Sequence, residues 1–241
     1  MFDILSTAEL TASAAIVVGF LAWAMGETAQ RRLAVLAALC AWFALILTLG
    51  ATGALSVGGA PALGLVVVLP IAALVWAYVA LPSVRAAMAE TPLPALIAVH
   101  AIRLLGFIFV ILYAEGRLPA PFAPSAGWGD VLVGATAAPL ALAVQRWGGR
   151  ARPLILLWNA LGIADLAVAL TLGPLSAPGP LQVFSGPPDA SLMTALPWLI
   201  IPGFLVPCLV FLHVVIFARL ASGEMRAPPH DWRHAGAPKP A

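Results

Sequence analysis

The 241 residues include a single lysine, Lys239, which falls among the last three positions. Without an interior lysine the chain cannot hold a retinal Schiff base in an apolar core. Cysteine is nearly as scarce: Cys40 and Cys208 sit in separate apolar runs, too few for a disulfide framework or a four-thiolate metal site, and both read as small hydrophobes. Neither a His-Glu-x-x-His run nor a Gly-x-Ser-x-Gly elbow occurs, which sets aside the corresponding metalloprotease and serine-hydrolase chemistries. Charged residues make up only 9% of the chain, too little to clothe a water-soluble globule of this size. No basic residue precedes the first apolar run, so the start lacks the positive region of a cleaved signal peptide and the first span is expected to be retained.

What is abundant is apolar length, with 62% of residues hydrophobic. Runs at about Leu10–Met25, Leu33–Gly50, Pro61–Leu81, Pro94–Ala114, Trp128–Gln145, Pro153–Leu172 and Met193–Leu220 are each long enough for a hydrocarbon core of about 30 Å. The expected fold is an all-α membrane protein: a seven-transmembrane helix bundle over residues 1–221, followed by a disordered cytoplasmic tail, 222–241, rich in Pro, Gly and Ala. Six spans is the alternative, because the first run carries Thr11, Ser13 and Thr28.

Alternating the loops places Arg31, Arg32, Arg85, Arg146, Arg150, Arg152, Arg219, Arg226, Arg233 and Lys239 on one side, Arg117 on the other and Arg103 within a helix. The positive-inside rule then puts the N-terminus outside and the C-terminus in the cytoplasm. The net charge of +2 comes from these anchoring residues and is no nucleic-acid signal. The expected partner is the lipid bilayer; Ala and Gly in the spans permit a homo-oligomer without requiring one. Two external links, Glu115–Gly127 and Gly173–Leu192, are proline-rich. The second carries Leu181, Val183 and Phe184, which suits either a solvated or headgroup-level loop or a lid over the bundle. In the tail, His230, Asp231 and His234 have helical ligand spacing, but the prolines around them argue against a helix and a metal site.

Ionisable groups inside a span cost several kcal/mol unless paired or watered, so they mark the bundle interior. The fourth span carries His100 and Arg103, with Gly106 and Tyr113 continuing the stripe; the sixth carries Asn159, Gly162 and Asp165; the seventh carries His213. At about 1.5 Å per residue, His100 and His213 share a level about 9 Å from the cytoplasmic ends of their spans, Arg103 lies about 14 Å deep, Asp165 about 17 Å and Asn159 about 8 Å. An Arg103–Asp165 pair is expected, with Asn159 capping the remaining guanidinium donors. Pro202 and Pro207 are expected to free the carbonyls of Trp198 and Gly203. At the outer surface Tyr113, Glu115, Arg117, Trp128 and Asp130 are expected to anchor and cap, Asp130 as a helix N-terminal residue.

Leu118-Pro119-Ala120-Pro121-Phe122-Ala123, then Ala126-Gly127-Trp128-Gly129-Asp130 and Gly134, resemble a pattern in a family of uncharacterised bacterial multi-span integral membrane proteins. So does Leu196-Pro197-Trp198, running on through Ile201-Pro202-Gly203-Phe204-Leu205-Val206-Pro207 to Leu212-His213. The resemblance covers roughly the last 150 residues. It implies a multi-pass protein of the bacterial inner (plasma) membrane and no particular activity.

Three functional readings follow from the residues. The first is a site for a small solute, anion or proton, bound or translocated between spans four, six and seven by His100, Arg103, Tyr113, Asn159, Asp165 and His213, with no metal and no cofactor. The second is a b-type haem cytochrome with His100 and His213 as axial ligands. The third is a non-catalytic membrane scaffold or sensor. An intramembrane enzyme using Asp165 or a histidine as base also stays open, though a non-enzymatic role is favoured.

Overall fold

The computed structural model describes residues 2–223; residues 224–241 of the expected tail, including His230, Asp231, His234 and Lys239, lie outside the described residues. Helices α1 (Phe2–Met25), α2 (Ala29–Thr52), α3 (Ala54–Ala80) and the short α4 (Pro82–Glu90) lead into a composite fourth span. That span is α5 (Leu93–Ala98), a 3₁₀ segment (Val99–Gly106) and α6 (Phe107–Ala114). After it come α7 (Phe122–Trp147), a 3₁₀ turn (Gly148–Ala151) and α8 (Arg152–Leu175); a π turn (Ile201–Leu205) then opens α9 (Val206–Ala221). Among the described residues there is no strand.

Among the described residues six continuous helical stretches are long and apolar enough to cross a membrane, one of them a 54-residue run from Phe122 to Leu175. The count differs from the seven expected because α7 and α8 join through a single tight turn. The chain nevertheless reverses there, since the Trp158 indole donates to the Val133 carbonyl (3.3 Å) and the Thr136 hydroxyl (3.0 Å). Two helices laid end to end would hold residues 133 and 158 about 37 Å apart. Gly148, at φ 52°, supplies the left-handed residue that this reversal needs.

Contacts at the two ends fix which helix termini lie together. At one end Arg117 is paired with Asp3 (2.7 Å), and Phe2 stacks on Trp198 at 6.1 Å. At the other, Arg219 donates to the carbonyls of Met88 and Thr91, Thr91 reaches the Ala24 carbonyl (3.5 Å), and Arg152 donates to the Leu220 carbonyl (3.2 Å). The start of α1, the end of α6 and the segment just before the π turn therefore share one face of the bundle. The end of α1, the start of span four and the end of α9 share the other.

Burial is unequal. The π turn and α9 are enclosed over most of their length, whereas α2 and α3 expose most of their apolar surface. α2 reaches the centre at one place, where Ile46 lies against Gly203 and Trp42 packs on Phe204 at 4.6 Å. Pro202 does not leave the Trp198 carbonyl open as expected: the turn tightens and the Ile201 amide donates to it (3.0 Å). The segment after α8 folds back on that helix, with Val183 and Phe184 amides donating to the Leu175 carbonyl. Leu181 and Val183 stay exposed, so neither forms a cover over the helices.

Candidate functional site

The composite fourth span sets the geometry. A 3₁₀ helix has three residues per turn, so residues three apart eclipse one another, and His100, Arg103 and Gly106 form a single stripe, all buried. This winding also lengthens the span by about 4 Å over eight residues relative to an α-helix.

Arg103 is fully enclosed and its guanidinium is shared among three helices. Nε donates to Asp130 Oδ1 on α7 at 2.6 Å, and one terminal nitrogen donates to Asp165 on α8. The other donates to the Gly162 carbonyl (3.2 Å) and to His213 Nε2 on α9 (3.0 Å). A guanidinium only donates, which fixes everything downstream. His213 Nε2 accepts, so Nδ1 carries the ring proton and donates it to Asn159 Oδ1 (2.7 Å); the Asn159 amide then donates back to the His213 carbonyl (3.0 Å). Glycine makes room for this. A Cβ on Gly162 would lie 2.7 Å from His213 Nε2 and 3.3 Å from the Arg103 nitrogen, and one on Gly129 would run into the Asp165 carboxylate.

Five of the six expected residues, His100, Arg103, Asn159, Asp165 and His213, thus lie in one connected cluster, with two differences. Asn159 does not cap Arg103; it holds His213, and the guanidinium donors expected to need it go to Asp130, Gly162 and His213 instead. Tyr113 stands apart, exposed at the end of α6, ten residues and at least about 15 Å along the span from Arg103. Asp130 is the member that sequence reasoning placed elsewhere. It is no surface capping residue: α7 begins at Phe122, so Asp130 lies in its third turn and faces Arg103. A signal was present, since Gly127 and Gly134 flank Asp130 at three and four residues and mark the face of α7 that meets span four.

The haem reading does not fit. His100 and His213 are in ring contact, 4.2 Å between centroids, which leaves no layer for a porphyrin, and both His213 nitrogens are engaged. His100 donates from Nδ1 to the Leu96 carbonyl (2.9 Å) and packs its ring edge-on to Trp158 (5.3 Å). Its Nε2 has no hydrogen-bond partner among the described residues.

The charge count is one guanidinium against two carboxylates, a net of −1. Each carboxylate gives Arg103 one oxygen and keeps some exposure, 16% for the Asp130 side chain and 12% for Asp165, against 0% for Arg103. A cavity of about 30 Å³ between α1, the composite span, α7, the π turn and α9 touches Arg103 and Asp130, lined otherwise by apolar side chains such as Leu10, Phe109 and Leu205. It has room for one or two waters or a small ion and for nothing larger. Outside the spans, Asp3 and then Glu115 raise the pKa of Arg117, keeping its charge fixed at the bundle's end.

A family model described as a domain of unknown function (DUF8737) matches residues 60–221. The chain belongs to this family. Every side chain of the buried cluster in this DUF8737 protein, from His100 to His213, lies within the matched residues, whereas α1, α2 and the first turns of α3 precede them. No curated protein and no solved structure matches the chain.

Proposed function

We propose that this is a seven-span, inner-membrane protein, with its N-terminus outside, that takes up a proton or a small monovalent cation at the Arg103–Asp130–Asp165 cluster as part of transport. The α7–α8 reversal supports counting those two helices as separate crossings. With seven crossings, ten of the twelve basic residues fall on the cytoplasmic side. The shared faces of the helix ends agree with that parity.

One observation carries the functional reading: two carboxylates share a single buried guanidinium. A neutral Arg–Asp pair would be enough to join two helices. A second carboxylate leaves one uncompensated negative charge in a medium where charge is expensive, and an exchangeable cation or proton balances it. The same count disfavours an anion, because the guanidinium that would bind it already carries two carboxylates.

The test is flux in proteoliposomes containing a pH-reporting dye, driven by a potassium diffusion potential, with sodium present or absent. The expected result is inward proton or sodium movement by the natural protein that Asp165→Asn and Asp130→Asn each abolish while both variants remain folded. Equal flux in all three proteins, or none in any under either cation, overturns the reading.

A further inference from the structure

From the small cavity at Arg103 and Asp130 a short column of side chains on one face of α1 runs toward the Asp3 end of the bundle. Leu10 lines the cavity. One turn nearer the end lies Ser6, 1% exposed, whose hydroxyl has no hydrogen-bond partner among the described residues. A helical serine ordinarily returns its proton to a carbonyl three or four residues back, as Thr7 does to Asp3 at 2.6 Å. A buried hydroxyl without such a bond is an anomaly inside an apolar bundle.

One further turn along, Asp3 receives both terminal nitrogens of Arg117, at 2.7 and 3.3 Å. The Arg117 guanidinium lies over the Trp198 ring at 5.5 Å, and Trp198 is itself buried and stacked on Phe2. Leu118, also buried, follows Arg117 directly. The distance from Asp3 to Leu10 is about 10 Å of helix.

We propose that this column is the external access route to the buried site: water and the protons it carries enter along the Ser6–Leu10 face of α1, and the Asp3–Arg117 pair lying on Trp198 is the gate. The proposal rests on the ion-uptake reading above and narrows it. The cavity of about 30 Å³ at the inner end of the route holds water, protons or a bare small ion but no organic solute, whereas Ser6 lies outside that cavity, nearer the gate. The Ser6 hydroxyl is the one polar group on this face between the gate and the cavity, so it positions the entering water. The gate pair is partly exposed, with side-chain exposures of 32% and 56%, so it opens at small cost.

The test is thiol accessibility. Ser6→Cys is introduced into a Cys40→Ala background, leaving the buried Cys208 as an internal reporter of unfolding. A membrane-impermeant maleimide is applied to vesicles of each orientation. The expected result is slow labelling from the outer side alone, accelerated about two- to five-fold by Arg117→Gln and equally by Asp3→Asn, the fold-change equivalent of losing an exposed ion pair. Cys208 stays unlabelled in every folded variant. Labelling from the cytoplasmic side, or a rate that neither gate substitution changes, overturns the proposal. Because labelling does not require any ion to move, an open route without flux refutes only the uptake reading, and flux without labelling refutes only the route.

Discussion

Removing the guanidinium and removing one of its carboxylates should have very unequal consequences for stability. In Arg103→Gln both Asp130 and Asp165 lose their partner inside the bundle. Breaking one buried pair costs about 3–5 kcal/mol, and here two are broken at once, so the upper end is expected. In Asp130→Asn the Arg103–Asp165 pair becomes neutral, and the amide oxygen still accepts from Arg103 Nε. Only the difference between a charged and a neutral hydrogen bond is lost, about 1 kcal/mol. Converted at about 2–4 °C per kcal/mol, Arg103→Gln lowers the unfolding temperature in detergent by about 10 °C or more, and Asp130→Asn by about 4 °C or less. Adding Asp130→Asn and Asp165→Asn to Arg103→Gln recovers part of the loss, since it removes the orphaned charges. Thermal unfolding followed by circular dichroism reads all of these. An Arg103→Gln protein that melts within about 2 °C of the natural one, or an Asp130→Asn protein that falls as far as Arg103→Gln, refutes the charge count.

Gly129→Ala pushes a methyl into the Asp165 carboxylate and should cost about 1–3 kcal/mol, read as lowered thermal stability that Asp165→Gly partly restores; an unchanged melting temperature would contradict the packing described. Trp158→Phe removes the indole donor that ties α8 to Val133 and Thr136, and should destabilise by about 1 kcal/mol while leaving the flux proposed above unchanged, which separates the hairpin contact from the site. Arg219→Gln loosens α9 from the carbonyls of Met88 and Thr91 and should speed proteolysis within the 81–92 link; an unchanged cleavage rate would show that this tie does not hold the link.

The sequence exposed the spans because lipid imposes a minimum length on each apolar run, and it exposed Arg103, Asp165 and the histidines because polar groups at that depth are few. The start of α7 was not legible. Pro121-Phe122-Ala123-Pro124 reads as a loop, yet proline at position 124 costs a helix nothing in its first turn, where the missing amide has no partner to lose. That six-residue displacement moved Asp130 from the interior to the surface on paper. The 3₁₀ winding of Val99–Gly106 was equally hidden, since nothing in Val-His-Ala-Ile-Arg-Leu-Leu-Gly distinguishes it from an α-helix; it is held by contacts with α7, α8 and α9 that no local pattern encodes. The short α4 escaped because nine amphipathic residues make no span.

Helices in lipid gain little from apolar contact with one another, so their rotational settings depend on small residues that let backbones approach and on the few polar groups that must meet. In this chain one side chain sets three helices at once. Arg103 fixes α7 through Asp130, α8 through Asp165 and Gly162, and α9 through His213, which Asn159 in turn locks to α8. A purely structural joint of this kind is complete when its charges cancel, and Arg103 with either aspartate alone would cancel. The second carboxylate adds no helix that the Gly127 and Gly134 contacts of α7, or the His213 and Gly162 contacts of α8 and α9, do not already bring in. It adds only negative charge, beside a cavity one or two waters wide. A surplus charge at that depth raises the energy of the resting protein and lowers that of one with a cation or proton aboard, which is what an uptake site requires and a scaffold does not.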